Sequence, residues 1–254
     1  MDERQQLLLS RFSRRTALKA AGIGAAGFTL TQRNVIRALA QESDTIQDIL
    51  DITATTERFG VTLLGEALAS NGAGFYDEPF PDVVVAVLTA ARAQEQFHLD
   101  AFEALGGKPL TDTFTVPKAV LINFETFFTA LTEQEGREIA AQIAAMKTFT
   151  ERGRPDLAKV SFQYAAEEAE HRLLANYTRG ARPANDLAFA EAPFESVNEF
   201  LEALMELGFI DGEGVEITYP GPNEIDATLV TETEPGGEEV DCEPEGTPED
   251  EASD

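Results

Sequence analysis

Apolar residues recur at helical spacing in four stretches of this chain, separated by glycine- and proline-rich breaks. The first stretch, from about Asp44 to Ser70, carries Ile46, Ile49, Thr53, Gly60, Leu64 and Ala67 along one stripe and stops at Asn71-Gly72-Ala73-Gly74. The second, about Asp82 to Leu105, sets Val84, Val87, Ala91, Leu99 and Phe102 inward and ends at Gly106-Gly107. A longer connection through Pro109 and Pro117 leads to a third helix between Leu121 and Glu151. The fourth opens at Pro155-Asp156, where proline suits a first helical turn, and runs to about Thr178 before Gly180-Ala181-Arg182-Pro183 closes it. Ser196-Val197-Asn198-Glu199 reads as a capping box for a short fifth helix to about Leu207. From Asp211 onward there are sixteen acids and no lysine or arginine; a strand or two is expected around Val215 to Tyr219 and disorder beyond Glu232. The pattern predicts an all-α fold: an antiparallel four-helix bundle over 41–182 with a long crossover between helices two and three. A short helical extension (183–210) and an acidic, largely disordered tail (211–254) follow.

Charge narrows the partners. Forty-six acids stand against 19 basic residues, for a formal net charge of -27. Such a surface repels phosphates, which speaks against a nucleic-acid partner. Lysine is scarce, five against fourteen arginines, and acids occur throughout. That composition resembles proteins of salt-loving archaea, whose acidic faces stay solvated in concentrated salt. Cys242 is the single cysteine, so neither an internal disulfide nor a four-cysteine metal site can form.

Seven of the basic residues fall within the first 40 positions. There, Ser13-Arg14-Arg15-Thr16-Ala17-Leu18-Lys19 precedes a short apolar, glycine-rich run from Ala20 to Leu30, and Ala38-Leu39-Ala40 offers a cleavage site. Residues 1–40 resemble a twin-arginine export signal, which implies the twin-arginine machinery as a partner and an extracytoplasmic location. An uncleaved membrane anchor is the alternative.

The candidate chemistry lies on helices two and four. Glu95-Gln96-Phe97-His98 and Glu168-Ala169-Glu170-His171 are both Glu-x-x-His, a spacing that puts carboxylate and imidazole on one helical face. In each case that face is the apolar stripe, since Glu95 follows Ala91 by four and Glu168 follows Tyr164 by four. A buried carboxylate without a partner costs several kcal/mol, so it should be paired or ligating. The two motifs use both histidines of the chain. With this many glutamates, chance would place one three residues before each histidine only about once or twice in a hundred such chains.

Helices one and three echo one another as well: Thr56-Glu57-Arg58-Phe59-Gly60 and Thr132-Glu133-Gln134-Glu135-Gly136 share Thr-Glu-x-x-Gly. The steps from Glu57 to Glu95 and from Glu133 to Glu168 are 38 and 35 residues, so the chain reads as a tandem helical hairpin. Glu66 competes with Glu57, and Glu125 or Glu135 competes with Glu133. Two hairpins joined by one long crossover, with this ligand pattern, are the arrangement of di-metal four-helix bundles.

The region from Asp44 to Thr178 resembles the ferritin-like superfamily, in particular its exported ferritin-like-domain proteins, and its ligand pattern is similar to that of rubrerythrins and bacterioferritins. The resemblance implies Glu57 and Glu133 as terminal ligands, Glu95 and Glu168 as bridging ligands, and His98 and His171 as one imidazole for each of two metal ions. Oxygen-rich coordination with one imidazole each suits iron, with manganese as the alternative. Asp100 and Tyr164 are candidates for groups behind the histidines. The implied activity is that of an oxidoreductase reacting with dioxygen or peroxide, as a ferroxidase or a peroxide scavenger. The competing expectation is a metal-binding or structural, stress-associated bundle without turnover. Phe124, Phe127 and Phe128 read as packing, with a homodimer surface as the other use for them.

Overall fold

The computed structural model describes residues 44–231, 233, 235 and 236. The export-type segment 1–40, Cys242 and the acidic residues beyond 236 lie outside the described residues. Four long helices carry the fold: α1 (Ile46–Gly72), α2 (Asp82–Ala104), α3 (Phe124–Glu151) and α4 (Pro155–Thr178). A shorter α5 (Val197–Glu206) follows. Among the described residues no helix is long and apolar enough to cross a membrane.

Local chemistry sets the helix ends. Thr45 caps α1 in a reciprocal box with Asp48, satisfying two amides that the first turn would otherwise leave bare. Asn123 caps α3 by accepting from the Thr126 amide. Ser196 caps α5 as its sequence suggests, but Glu199 reaches one residue further back and accepts from the Glu195 amide. Asp44 completes that cap from across the molecule: its carboxylate accepts from the amides of Val197 (2.6 Å) and Asn198 (3.1 Å), tying the start of the described chain to α5.

The helices pair as α1 with α2 and α3 with α4, and each hairpin is packed more closely within itself than against the other. A buried polar bridge joins the two hairpins. Gln142 of α3 donates to Thr53 of α1 at 3.2 Å and accepts from Ser161 of α4 at 2.8 Å. Aromatic rings form two clusters in the core. Tyr76, Phe80, Phe124, Phe127 and Phe128 pack ring on ring at one end, while Phe59, in the middle of α1, meets Phe114 and Phe209. Phe127 and Phe128 are fully buried, so these two are core residues.

The crossover from α2 to α3 holds a strand that its two prolines conceal in the sequence. β1 (Thr113–Val116) pairs antiparallel with β2 (Val215–Thr218), with Phe114 opposite Ile217. Both of those side chains are buried against the helices. The segment after Asp211 is therefore built into the fold as far as residue 231, with short 3-10 turns at Pro222–Glu224 and Ala227–Leu229, the latter packed on α2. Arg58 of α1 fastens it further: the guanidinium pairs with Glu103 and Asp112 and lies 4.9 Å from the centre of the Tyr219 ring.

Candidate metal centre

Midway along the bundle, all four helices turn acidic side chains into the core. Glu57 (α1), Glu95 (α2), Glu135 and Glu138 (α3) and Glu168 (α4) are each 3 % exposed or less. The two histidines meet them. His98 Nδ1 lies 3.3 Å from Glu57 Oε2 and 3.2 Å from Glu168 Oε1. His171 Nδ1 lies 3.0 Å from Glu168 Oε2 and 3.2 Å from Glu95 Oε1.

The donor atoms fall into two overlapping groups, each gathered within 4.8 Å: Glu57, Glu95, His98 and Glu168, and Glu95, Glu135, Glu168 and His171. Glu95 and Glu168 belong to both. Each group thus has one carboxylate and one imidazole of its own and two carboxylates in common, and the imidazole ring centres are 6.4 Å apart.

Of the residues that the sequence singles out, Glu57, Glu95, His98, Glu168 and His171 come together here. Glu133 does not. Its side chain is 60 % exposed and pairs with Arg137 one turn on, at 3.0 Å. Two residues along a helix is a turn of about 200°, so Glu133 and Glu135 point in nearly opposite directions, and Glu135 takes the inner place. The shared Thr-Glu-x-x-Gly pattern misleads because its glycines are not counterparts. A Cβ on Gly60 would stand 2.6 Å from Glu95 Oε2, whereas one on Gly136 would meet nothing closer than 3.9 Å. The counterpart of Gly60, three residues beyond the inner glutamate, is Glu138. Sequence reasoning overlooked it, although Glu135-x-x-Glu138 has the same spacing as the Glu-x-x-His pairs.

The groups behind the ring nitrogens also differ from expectation. His171 Nε2 lies 2.9 Å from Gln94 Oε1, so with the amide oxygen toward the ring this nitrogen carries a hydrogen and Nδ1 faces the carboxylates. Asp100 is exposed and accepts from Gln96 instead, whose own oxygen accepts from Tyr219. Tyr164 is buried with its ring edge-on to His98 at 5.0 Å. Its hydroxyl lies toward Glu57 without a hydrogen bond of standard geometry.

The residues fit a pair of cations. Both oxygens of Glu57, one oxygen each of Glu95, Glu135 and Glu168, and His98 Nδ1 are buried without a hydrogen bond. Unpaired buried carboxylate oxygens are costly, and a cation among them removes that cost. Without one, the acids shift toward neutrality. Burial, and then the charges of neighbouring carboxylates, push Glu57, Glu135 and Glu138 well above the usual carboxylate range. Glu168 goes the other way: burial opposes its ionisation, but the imidazoles of His171 and His98 outweigh burial. Burial likewise disfavours the His171 cation, yet Glu168 and Glu95 raise its pKa well above the ordinary value. Such opposed shifts within one buried cluster are common at functional sites.

No protein-family model matches the chain, and no curated protein or solved structure matches it either.

Proposed function

We propose that this is an exported, ferritin-like carboxylate protein that holds two iron ions, or manganese in their place, and reacts with dioxygen or peroxide as a ferroxidase or peroxide-scavenging oxidoreductase. The observation that carries the proposal is the pair of overlapping donor groups sharing Glu95 and Glu168, with buried oxygens that accept no hydrogen bond. Glu57 and His98 would hold one ion, and Glu135 and His171 the other. Four carboxylates neutralise two dications, and hard oxygen donors with one imidazole each favour iron or manganese over soft-ligand metals. A pair of Fe(II) ions in this site would supply the two electrons that take hydrogen peroxide to water.

The chain's own residues prepare that chemistry. Glu138 adds a fifth carboxylate beside Glu135, a negative charge in reserve for when the charge of the site rises on oxidation. Its orientation is set by Gln134, which donates to Glu138 Oε1 at 2.9 Å. Gln94 fixes the His171 ring through Nε2. Tyr164 and Phe102 meet edge-on at 5.4 Å and pack beside His98.

Anaerobic Fe(II) titration followed by addition of dioxygen or peroxide tests the proposal. Uptake that saturates at one ion per donor group, then consumption of either oxidant, is the expected result. Saturation without turnover would leave a metal-binding or structural bundle. No uptake would remove the di-metal proposal.

A further inference from the structure

The two halves of the bundle surround their histidines differently. Four residues before the motif glutamates stand Ala91 and Tyr164; four residues after the histidines stand Phe102 and Ala175. Beside His98, the large members, Tyr164 and Phe102, fill the space. Beside His171, the small members, Ala91 and Ala175, line a cavity of about 20 Å³ that reaches His171 and Glu135. That is room for a single molecule the size of water or dioxygen.

The cavity adjoins a cleft at the surface. Val84, Val87, Leu174 and Thr178 line it and also line a surface cleft of about 630 Å³ between the start of α2 and the end of α4. On each helix the path continues the ligand stripe: Ala91, Leu88, Val87 and Val84 run back from Glu95, and Leu174, Ala175 and Thr178 run on from His171. Leu174 is 42 % exposed, so the path opens at its rim. Its walls are apolar. The hydroxyl of Thr178 is turned back onto the Leu174 carbonyl of its own helix, at 2.8 Å. That leaves only the Thr178 oxygen to accept a hydrogen bond, and the other side chains between rim and cluster are apolar.

We infer that this seam between α2 and α4 admits dioxygen from the outer cleft and seats it beside His171 and Glu135. The inference rests on the di-metal proposal for its use and selects the oxidant. An apolar passage costs a nonpolar diatomic nothing, whereas hydrogen peroxide would shed its water hydrogen bonds to pass. It also makes the two metal positions unequal, because the corresponding space beside His98 is filled by rings.

Paramagnetic relaxation by dissolved dioxygen tests the seam in the metal-free full-length chain. The methyl groups of Ala91 and Ala175 should relax several-fold faster under oxygen than those of Ala93, Ala184 and Ala203, which are comparably buried but off the path. Ala175→Val should abolish the effect at Ala91, and Leu174→Ala, at the exposed rim, should increase it. In Fe(II)-loaded protein with unchanged iron content, Ala175→Val should slow reaction with dioxygen about tenfold, as added methyl groups in a tight apolar passage do, and leave the rate with peroxide unchanged. Ala91 and Ala175 relaxing no faster than the three controls would overturn the inference, and so would an unchanged dioxygen rate in Ala175→Val. A chain that shows the relaxation but takes up no metal would keep the seam and retract the di-metal proposal.

Discussion

His171 Nε2 and Gln94 Oε1 lie 2.9 Å apart, a contact from α4 to α2 that leaves the other ring nitrogen facing Glu168 and Glu95. A neutral ring held this way presents the Nδ1 lone pair to an ion. Gln94→Leu keeps the approximate shape and removes the acceptor. It should weaken metal binding by about 10- to 100-fold with little change in helix content, measured by competition with a chelator.

Glu133 and Glu135 give a paired test of placement. Glu135→Gln removes a buried donor and should abolish binding at the His171 position. Glu133→Gln touches only the exposed pair with Arg137 and should leave metal content unchanged and stability within about 0.5 kcal/mol, as surface ion pairs contribute little. Metal content that responds to Glu133 and ignores Glu135 would contradict the arrangement of α3.

Gly60 allows the close approach of Glu95, whose Oε2 would stand 2.6 Å from an added Cβ. Gly60→Ala should displace a shared ligand before it disturbs the helix, since alanine suits a helix interior better than glycine. The expected outcome is a folded protein with metal uptake reduced at both positions. A loss confined to one position would argue that Glu95 is not shared.

The metal-free protein should lose stability as pH rises. Glu57, Glu135 and Glu138 have pKa values raised by folding, so the native state binds more protons than the unfolded state above the ordinary carboxylate range, and stability falls with pH. His171 adds the same sign, with its contribution lost as pH rises through its raised pKa. Glu168, lowered on folding, opposes them and loses its contribution only in strong acid. Thermal denaturation between about pH 5 and about pH 8 should show Tm dropping for the metal-free chain and a shallower slope for Glu138→Gln. Bound metal should flatten the profile, because it replaces the protons.

Much of this was legible because the strongest signals are local. The Glu-x-x-His spacing alone places Glu95 with His98 and Glu168 with His171, and stop signals such as Gly106-Gly107 set the helix ends to within a few residues. Positions that depend on packing were harder to read. Glu133 and Glu135 differ only in which face α3 turns inward, and a helix with acids on several faces does not declare that face. Glu138 escaped notice because a buried acid with no histidine beside it looks like any other glutamate. β1 was hidden because Thr113–Val116 becomes a strand only by pairing with Val215–Thr218 a hundred residues later. The seam beside His171 needs both alanines in space, though Ala91 and Ala175 stand at matched distances from the two motifs.

The most direct test of the central claim is metal content, by inductively coupled plasma mass spectrometry, on protein purified without chelator. Two iron or manganese ions per chain are expected, one for each donor group, falling sharply in His171→Ala and Glu95→Ala. A chain that carries no metal, and takes up none on anaerobic reconstitution with Fe(II) or Mn(II), would contradict it.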